Sequence, residues 1–437
     1  MRRIKYGVFG GLTLAAALPA TAFAAEEVPV DSGNTAWILV ATALVMVMLP
    51  GLALFYGGLV RRKNVLSTIM HSFFGLAIVS VVWVIVGFSI AFAPDASGGL
   101  GLFGGLDFVG FMNVGLAPAE GSTGIPFILF AAFQLMFAAI TPALITGAFA
   151  ERKRFAAFVV FTVLWSIFVY SPVAHWVWAA DGWLFKMGAL DFAGGTVVHA
   201  TSGVSALIVA LMIGRRVVNG DRMEPHDIPM TVLGAGLLWF GWFGFNAGSA
   251  LAANGVAANA LLVTNTAAGA ATITWVLASY LHKGKVSVVG AVCGAVAGLV
   301  AITPASGFVT AGGAVVIGLV VGVVCYSATL LRSRLKIDDA LDVFAVHGVG
   351  GTFGAVATGV FATTAITGAG GAAGLIDGNP GQLGTQVVAI GAAIGYAVIA
   401  TFVIVKVTDL ILGIRVKSDE EELGLDLSVH GEVAYQT

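Results

Sequence analysis

Residues Asp191 to Ser205 read D-F-A-G-G-T-V-V-H-A-T-S-G-V-S, which sets one histidine, His199, into an apolar segment that then runs uncharged to Gly214. A second stretch, Leu341 to Gly351, reads L-D-V-F-A-V-H-G-V-G-G and embeds His347 in the same way. A polar group in hydrocarbon costs several kcal/mol unless it is paired, and an ionisable residue inside a span is a functional candidate by default. The two histidines are therefore expected to meet inside a membrane protein and to line a narrow path for a small polar solute. Neutral imidazole has one donor and one acceptor nitrogen, so a touching pair shares one proton and can pass another along.

Working outward, the composition agrees. Of 437 residues, 58% are hydrophobic and only 10% charged, with mean hydropathy +0.98, whereas a soluble domain carries about a quarter charged residues. The chain is expected to be an all-α polytopic membrane protein. A net charge of −2 says nothing about partners, because what matters is where the charges sit, and no nucleic-acid partner is expected. Cys293 and Cys325 lie in apolar runs without metal-ligand spacing and read as packing residues. Arg2, Arg3 and Lys5 precede an apolar run, and Ala22-Phe23-Ala24 supplies a small-x-small cleavage pattern, so residues 1–24 read as a signal peptide.

Runs long enough to cross about 30 Å of hydrocarbon at 1.5 Å per residue are Thr35 to Val60, Val65 to Pro94, Gly121 to Ala150, Phe155 to Ala180 and Gly194 to Gly214. Pro229 to Leu281 is too long for one helix and should break at A-A-N-G-V-A-A-N near Asn254; Val286 to Leu331 should break at Thr303-Pro304-Ala305-Ser306-Gly307. Val343 to Ala362 and Gln382 to Val405 complete eleven spans, with a membrane domain over 25–412 and a cytosolic tail over 413–437. Threading them from outside leaves 17 of the 18 Lys and Arg beyond the leader on the cytoplasmic side, with Lys186 as the exception. An N-out, C-in topology obeys the positive-inside rule, which a miscount would scramble.

A unit of five spans, repeated, must be inverted. His199 falls in the fifth span and His347 in the tenth, equivalent places in a 5+5 inverted repeat followed by one additional helix. Counted linearly, however, His199 lies near the outer end of its span and His347 near the inner end of its own. His71 and His175, close to span ends, read as interfacial. The sixth span, Leu238 to Ser249, is dense in aromatics; Phe245 and Ser249 are i and i+4, which puts a ring and a hydroxyl on one face. Phe133 and Phe137 share that spacing, and His175-Trp176-Val177-Trp178 ends the fourth span. Rings and a hydroxyl at an outer mouth can hold a small cation, where cation-π attraction is worth about 0.5 to 2 kcal/mol. A mostly apolar pore below suits a neutral or transiently deprotonated species better than a hydrated metal ion.

The chain resembles the Amt/Mep/Rh ammonium transporters, and its bacterial Amt branch in particular. The resemblance covers Thr35 to Tyr435 and rests on G-L-A-L-F-Y-G-G-L-V-R at Gly51 to Arg61, A-F-A-E-R at Ala148 to Arg152 and D-F-A-G-G-T-V-V-H at Asp191 to His199. It rests equally on W-F-G-F-N-A-G-S-A at Trp242 to Ala250, D-V-F-A-V-H-G at Asp342 to Gly348 and S-V-H-G-E-V-A-Y at Ser428 to Tyr435. It implies a homotrimer with one pore per subunit in the cell inner (plasma) membrane, and transport of ammonium/ammonia and methylammonium. By resemblance, Phe133, Trp178 and Ser249 form the outer recruitment site, and Phe137 and Phe245 the gate. His199 and His347 form the twin-histidine pair, with Trp242 and Tyr56 beside the pore and Thr303 by the vestibule. Asp191 supports the recruitment site, and an Asp before a helix is also an ordinary cap.

Ammonium would dock outside, lose a proton at the rings and cross as ammonia, with the proton following along the imidazoles. Electroneutral ammonia passage of Rhesus type is the alternative. Trp178, Ser249 and the H-G-E-V-A-Y tail favour the Amt branch. A sensor signalling through its tail is a second class of reading; a tail of about 25 residues would need a partner for that. Enzyme function is not expected, because no carboxylate or cysteine accompanies the histidines deep in the membrane, and neither cofactor nor metal is implied. The resemblance also implies a PII signalling protein docking on the cytoplasmic face, and the patterned end of the acidic tail reads as a docking segment.

Overall fold

The computed structural model describes residues 28–119, 121–217 and 223–436; the expected signal peptide, 1–24, lies outside them. Ten helices among the described residues are long and apolar enough to cross a membrane: α1 (Ser32–Leu59), α2 (Arg62–Phe92), α3 (Phe127–Phe149), α4 (Phe155–Lys186), α5 (Gly195–Ile213), α6 (Ile228–Gly248), α7 (Gly255–Lys283), α9 (Ala311–Arg334), α10 (Phe344–Phe361) and α11 (Pro380–Leu412). A shorter apolar helix, α8 (Val288–Ile302), corresponds to the eighth expected run. Its 15 residues reach about 22 Å, because Thr303 to Phe308 leave the helix as a string of turns. The described residues form no strand.

Local chemistry sets the boundaries. Asp31 caps α1 by accepting from Asn34 N–H (2.7 Å), Asp227 caps α6 from Met230 N–H (2.9 Å) ahead of Pro229, and Ser287 caps α8 from Gly290 N–H (3.0 Å). The long uncharged stretch divides where expected: Asn254 accepts from Ala257 N–H (3.0 Å) and starts α7. Lipid-facing positions carry large apolar side chains such as Leu39, Phe73, Ile399 and Leu410. Inward-facing ones carry small residues that let backbones approach. A Cβ on Gly234 of α6 would stand 2.2 Å from the Phe55 nitrogen of α1, and one on Gly318 of α9 2.4 Å from the Ala267 carbonyl of α7.

Four spans contain a π-helical segment: Trp83–Gly87 in α2, Ser166–Tyr170 in α4, Gly195–Ala200 in α5 and Phe344–Val349 in α10. Such segments cluster at functional sites, and two of them hold His199 and His347. His71 and His175 are both buried within the helix bundle. His71 sits among Phe149, Phe155 and Phe158, and His175 Nδ1 lies 3.1 Å from the Ala91 carbonyl.

The tail folds back onto the helix ends that carry the basic residues. Arg415 pairs with Glu421 (2.8 Å), Asp426 accepts from the Ser67 N–H (2.8 Å) in the first turns of α2, and Leu425 N–H donates to Asn64 (2.8 Å). Tyr435 meets His226 at 3.1 Å. Alongside, Glu151 binds Arg61 (2.9 Å) and Arg216 (3.2 Å), and Arg216 reaches Asp338 (2.7 Å). Burial alone would push the Asp338 carboxyl up, but the hydrogen bonds and charge of Arg216 override it and hold the carboxyl down at about 2.

Candidate functional site

The helix α5 begins at the sequence D-F-A-G-G because its carboxylate serves four backbone donors. Asp191 Oδ1 accepts from Gly194 (2.9 Å) and Gly195 (2.6 Å), and Oδ2 from Thr196 (2.9 Å) and Val197 (3.0 Å). Those are the N–H groups that a helix start leaves unpaired. Gly194 adopts φ 108°, open to glycine alone at low cost. Gln386 of α11 fastens the preceding turn by binding both the N–H and the carbonyl of Leu190 (2.7 Å each). Nothing in the sequence pattern marked Gln386; its role arises from a contact 196 positions away.

From this anchored start, α5 crosses α10 at glycines. A Cβ on Gly203 would lie 2.0 Å from the Gly348 nitrogen, and one on Gly351 2.9 Å from the Ala200 nitrogen and from His199 Cβ. The offsets are reciprocal: the glycine four residues after each histidine meets the residue one after the other. The imidazoles are thereby held in contact, with Nδ1 of His347 3.3 Å from Nδ1 of His199, ring centroids 5.2 Å apart and ring planes tilted by 34°. One Nδ1 donates and the other accepts, which fixes opposite tautomers in the pair. The Nε2 atom of His199 is buried without a protein partner. The linear offset between the two positions disappears in the structure, since the helices cross at the depth of the histidines.

Around the pair lies a cavity of about 10 Å³, the room one water-sized molecule needs. Its other walls include Leu52, Phe55, Ile140, Leu144 and Leu238. Trp242 stacks on His199 (5.3 Å between centroids) and donates Nε1–H to Thr303 Oγ1 (2.8 Å). Thr303 is fully buried behind that indole. Its hydroxyl anchors the Trp242 indole from that side. Tyr56 is buried next to this path, bound to the Leu144 carbonyl (3.0 Å), while its neighbour Phe55 provides the wall.

Toward the start of α5, Phe245 lies 6.0 Å from the His199 ring and stacks on Phe137 at 4.2 Å. Trp178 stands edge-on to Phe137 at 6.0 Å, held by its Nε1–H bond to the Asp191 carbonyl (2.9 Å). Asp191 thus fixes both the start of α5 and the indole. Beyond the stacked rings opens a vestibule of 130 Å³ lined by Phe92, Phe130, Gln134, Phe137, Trp178, Phe192, Ser249 and Leu251. Ser249 donates its hydroxyl proton to the Phe245 carbonyl (2.9 Å), which leaves its lone pairs for a ligand. Phe133 is wholly buried behind the gate, edge-on to Phe137 at 4.9 Å and against Gly248. It is not among the residues that line this cavity. Sequence reasoning missed Phe92, Phe130, Gln134 and Phe192, although a lone amide within the uncharged third run was a visible signal.

An aromatic-lined pocket, two stacked rings and two buried imidazoles in contact thus follow one another through the bundle. Residues 36–435 match the profile of the Ammonium Transporter Family. The ammonium transporter of Bacillus subtilis is 51% identical over 405 residues, covering 92% of this chain and 98% of that protein. Ammonium transporter Amt1 of Archaeoglobus fulgidus is 50% identical over 406 residues, covering 93% and 100%. The crystal structure of Saccharomyces cerevisiae Mep2 superposes with a TM-score of 0.83 at 41% identity, covering 89% of this chain and 91% of that one. This chain belongs to the ammonium transporter family.

Proposed function

We propose that this multi-pass membrane protein recruits ammonium at its outer aromatic vestibule, deprotonates it at the stacked rings and conducts ammonia past the twin-histidine pair. The observation that carries this reading is the 3.3 Å contact between two buried imidazoles in a cavity large enough for one water-sized molecule. A charged ammonium leaving the vestibule would shed its water into an apolar passage, which is costly for an ion and cheap for ammonia. Trp178 and Phe137 present aromatic surface to the cation, and Ser249 presents lone pairs. The unpartnered Nε2 of His199 takes up the proton, the Nδ1–Nδ1 hydrogen bond passes one on to His347, and His347 releases a proton that recombines with ammonia inside. Net charge moves, so transport is electrogenic.

In this reading the chain crosses the plasma membrane eleven times, N-out and C-in, with α8 as the short eighth span. The reciprocal glycine contacts supply the physical reason to read α1–α5 and α6–α10 as inverted repeats, and α11 as an added helix that clamps α5 through Gln386. The subunit assembles as a homotrimer, and a PII protein docks on the face that carries the tail. Ammonium-jump currents on proteoliposomes test the transport reading. A current specific to ammonium supports it, and a pH change driven by ammonia without current supports electroneutral passage instead. Pull-down of the trimer with a cognate PII protein in ADP and low 2-oxoglutarate tests the partner.

A further inference from the structure

His175 is wholly buried on α4, one turn before the vestibule wall Trp178. Its Nδ1 lies 3.1 Å from the carbonyl of Ala91, the neighbour of a second wall residue, Phe92. A carbonyl only accepts, so Nδ1 carries a hydrogen, and in a neutral ring the other nitrogen is then a bare lone pair. That nitrogen, Nε2, is buried without a hydrogen-bond partner and faces Asp181 Oδ1 at 3.6 Å. Two acceptors at this range repel, and the gap is too narrow for a water that must stand about 2.8 Å from each at an open angle. A proton between them removes the conflict. The other Asp181 oxygen accepts the Asp95 N–H, and the Asp95 carboxylate gathers the N–H groups of Ser97 (3.0 Å) and Gly99 (2.8 Å). Trp176 holds the same loop by donating Nε1–H to the Leu102 carbonyl (2.7 Å).

We propose that His175 and Asp181 share a proton taken from the outer solution, and that this proton latches the loop from Asp95 to Gly105 to the ends of α2 and α4 that carry Phe92 and Trp178. His175 is then a positioning residue for those two walls, and the proposal rests on reading them as part of the recruitment site. Asp181 is partly exposed, which gives the proton its route. The end of α4 brings Asp181 and Lys186 to this region, the loop brings Asp95 and Asp107, and the outer half of α2 brings no ionisable group. From α5 come Asp191, with both oxygens on backbone N–H groups, and His199, paired with His347. Tyr170 lies earlier on α4, and Tyr396 of α11 packs on Trp176. Among the described residues, Asp181 is the carboxylate within ion-pair distance of His175. An imidazolium that gains a carboxylate on folding stabilises at low pH and loses that contribution as pH rises.

Asp181→Asn separates the proton from the contact. The asparagine amide keeps an oxygen for the Asp95 N–H and turns an N–H toward Nε2, so it bonds neutral His175 at every pH. Hydrogen exchange of the Asp95 to Gly105 amides is followed by mass spectrometry across the histidine range, about pH 5 to 8, for wild type and Asp181→Asn. Taking the ratio of the two proteins at each pH cancels the intrinsic pH dependence of exchange. Losing a hydrogen bond to a charged group costs at least about a decade, so loop protection in wild type relative to Asp181→Asn is expected to fall about 10-fold or more as pH rises. In ammonium-jump currents the half-saturating concentration of wild type relative to Asp181→Asn is expected to rise over the same range. A protection ratio that is flat with pH overturns the latch, and a falling protection ratio with a flat half-saturation ratio overturns the positioning role. If Asp181→Asn fails to fold, wild-type protection of this loop that does not change with pH relative to the loop from Gly368 to Gly378 overturns the proposal equally. A wild type without ammonium current overturns the reading of the recruitment site, and the exchange ratio still decides the latch.

Discussion

Replacing Gly203 by alanine probes the contact that brings the histidines together. The added Cβ would stand 2.0 Å from the Gly348 nitrogen and 2.3 Å from the Gly348 Cα. Both are backbone atoms of α10 and cannot rotate aside. Restoring an ordinary contact of about 3.5 Å requires α5 and α10 to part by roughly 1.5 Å. The Nδ1 to Nδ1 distance, now 3.3 Å, then leaves hydrogen-bond range. Overpacking of this kind costs about 1–3 kcal/mol of stability, and misplacing reacting groups by 1 Å costs up to about 100-fold in rate. The assay pairs thermal unfolding in detergent with ammonium-jump currents. Gly269→Ala is the control, because a Cβ there meets nothing within 4 Å. Gly203→Ala is expected to melt lower and to lose most of its transport, while Gly269→Ala keeps both. Wild-type current from a Gly203→Ala protein would refute the claim that close crossing of α5 and α10 sets the histidine geometry.

Other expectations follow from single contacts. Asp191→Ala orphans four backbone N–H groups at the start of α5 and should destabilise by at least about 2 kcal/mol, read as a lower melting temperature, with Asp191→Asn in between. Thr303→Val leaves the Trp242 N–H unpaired and should cost about 1–3 kcal/mol together with part of the transport rate, because the indole that stacks on His199 loses its anchor. The Asp338 carboxyl, held down at about 2 by Arg216 against the opposing effect of burial, stabilises the fold above its unfolded value near 4. That contribution is lost as pH falls toward 2, so melting temperature should drop in this window more for wild type than for Asp338→Asn.

Much of the architecture was legible because hydrocarbon thickness and charge placement act locally on sequence. Asn254 marked the division of the longest apolar run for the same reason that it caps α7. The pairing of His199 and His347 was readable from residue type and span order, and the crossing that produces it was not. Their linear depths disagree, and only the glycines at 203, 348 and 351 allow helices to approach closely enough to reconcile them. Phe133, Tyr56 and Thr303 carried the right motifs, but a motif does not say which side of a helix faces the path. Phe55 rather than Tyr56 lines the cavity, and Thr303 acts through Trp242. Gln386 acts through a contact 196 positions away that leaves no local signal, and an isolated amide in an apolar run was the only trace Gln134 left.

The most direct test of the account is the ammonium-jump current of His199→Ala and His347→Ala proteoliposomes beside the wild type, with protein amount matched. Proton transfer along the two imidazoles predicts an ammonium-specific current in the wild type that both substitutions abolish. A current of wild-type size in either variant would contradict the role assigned to the pair.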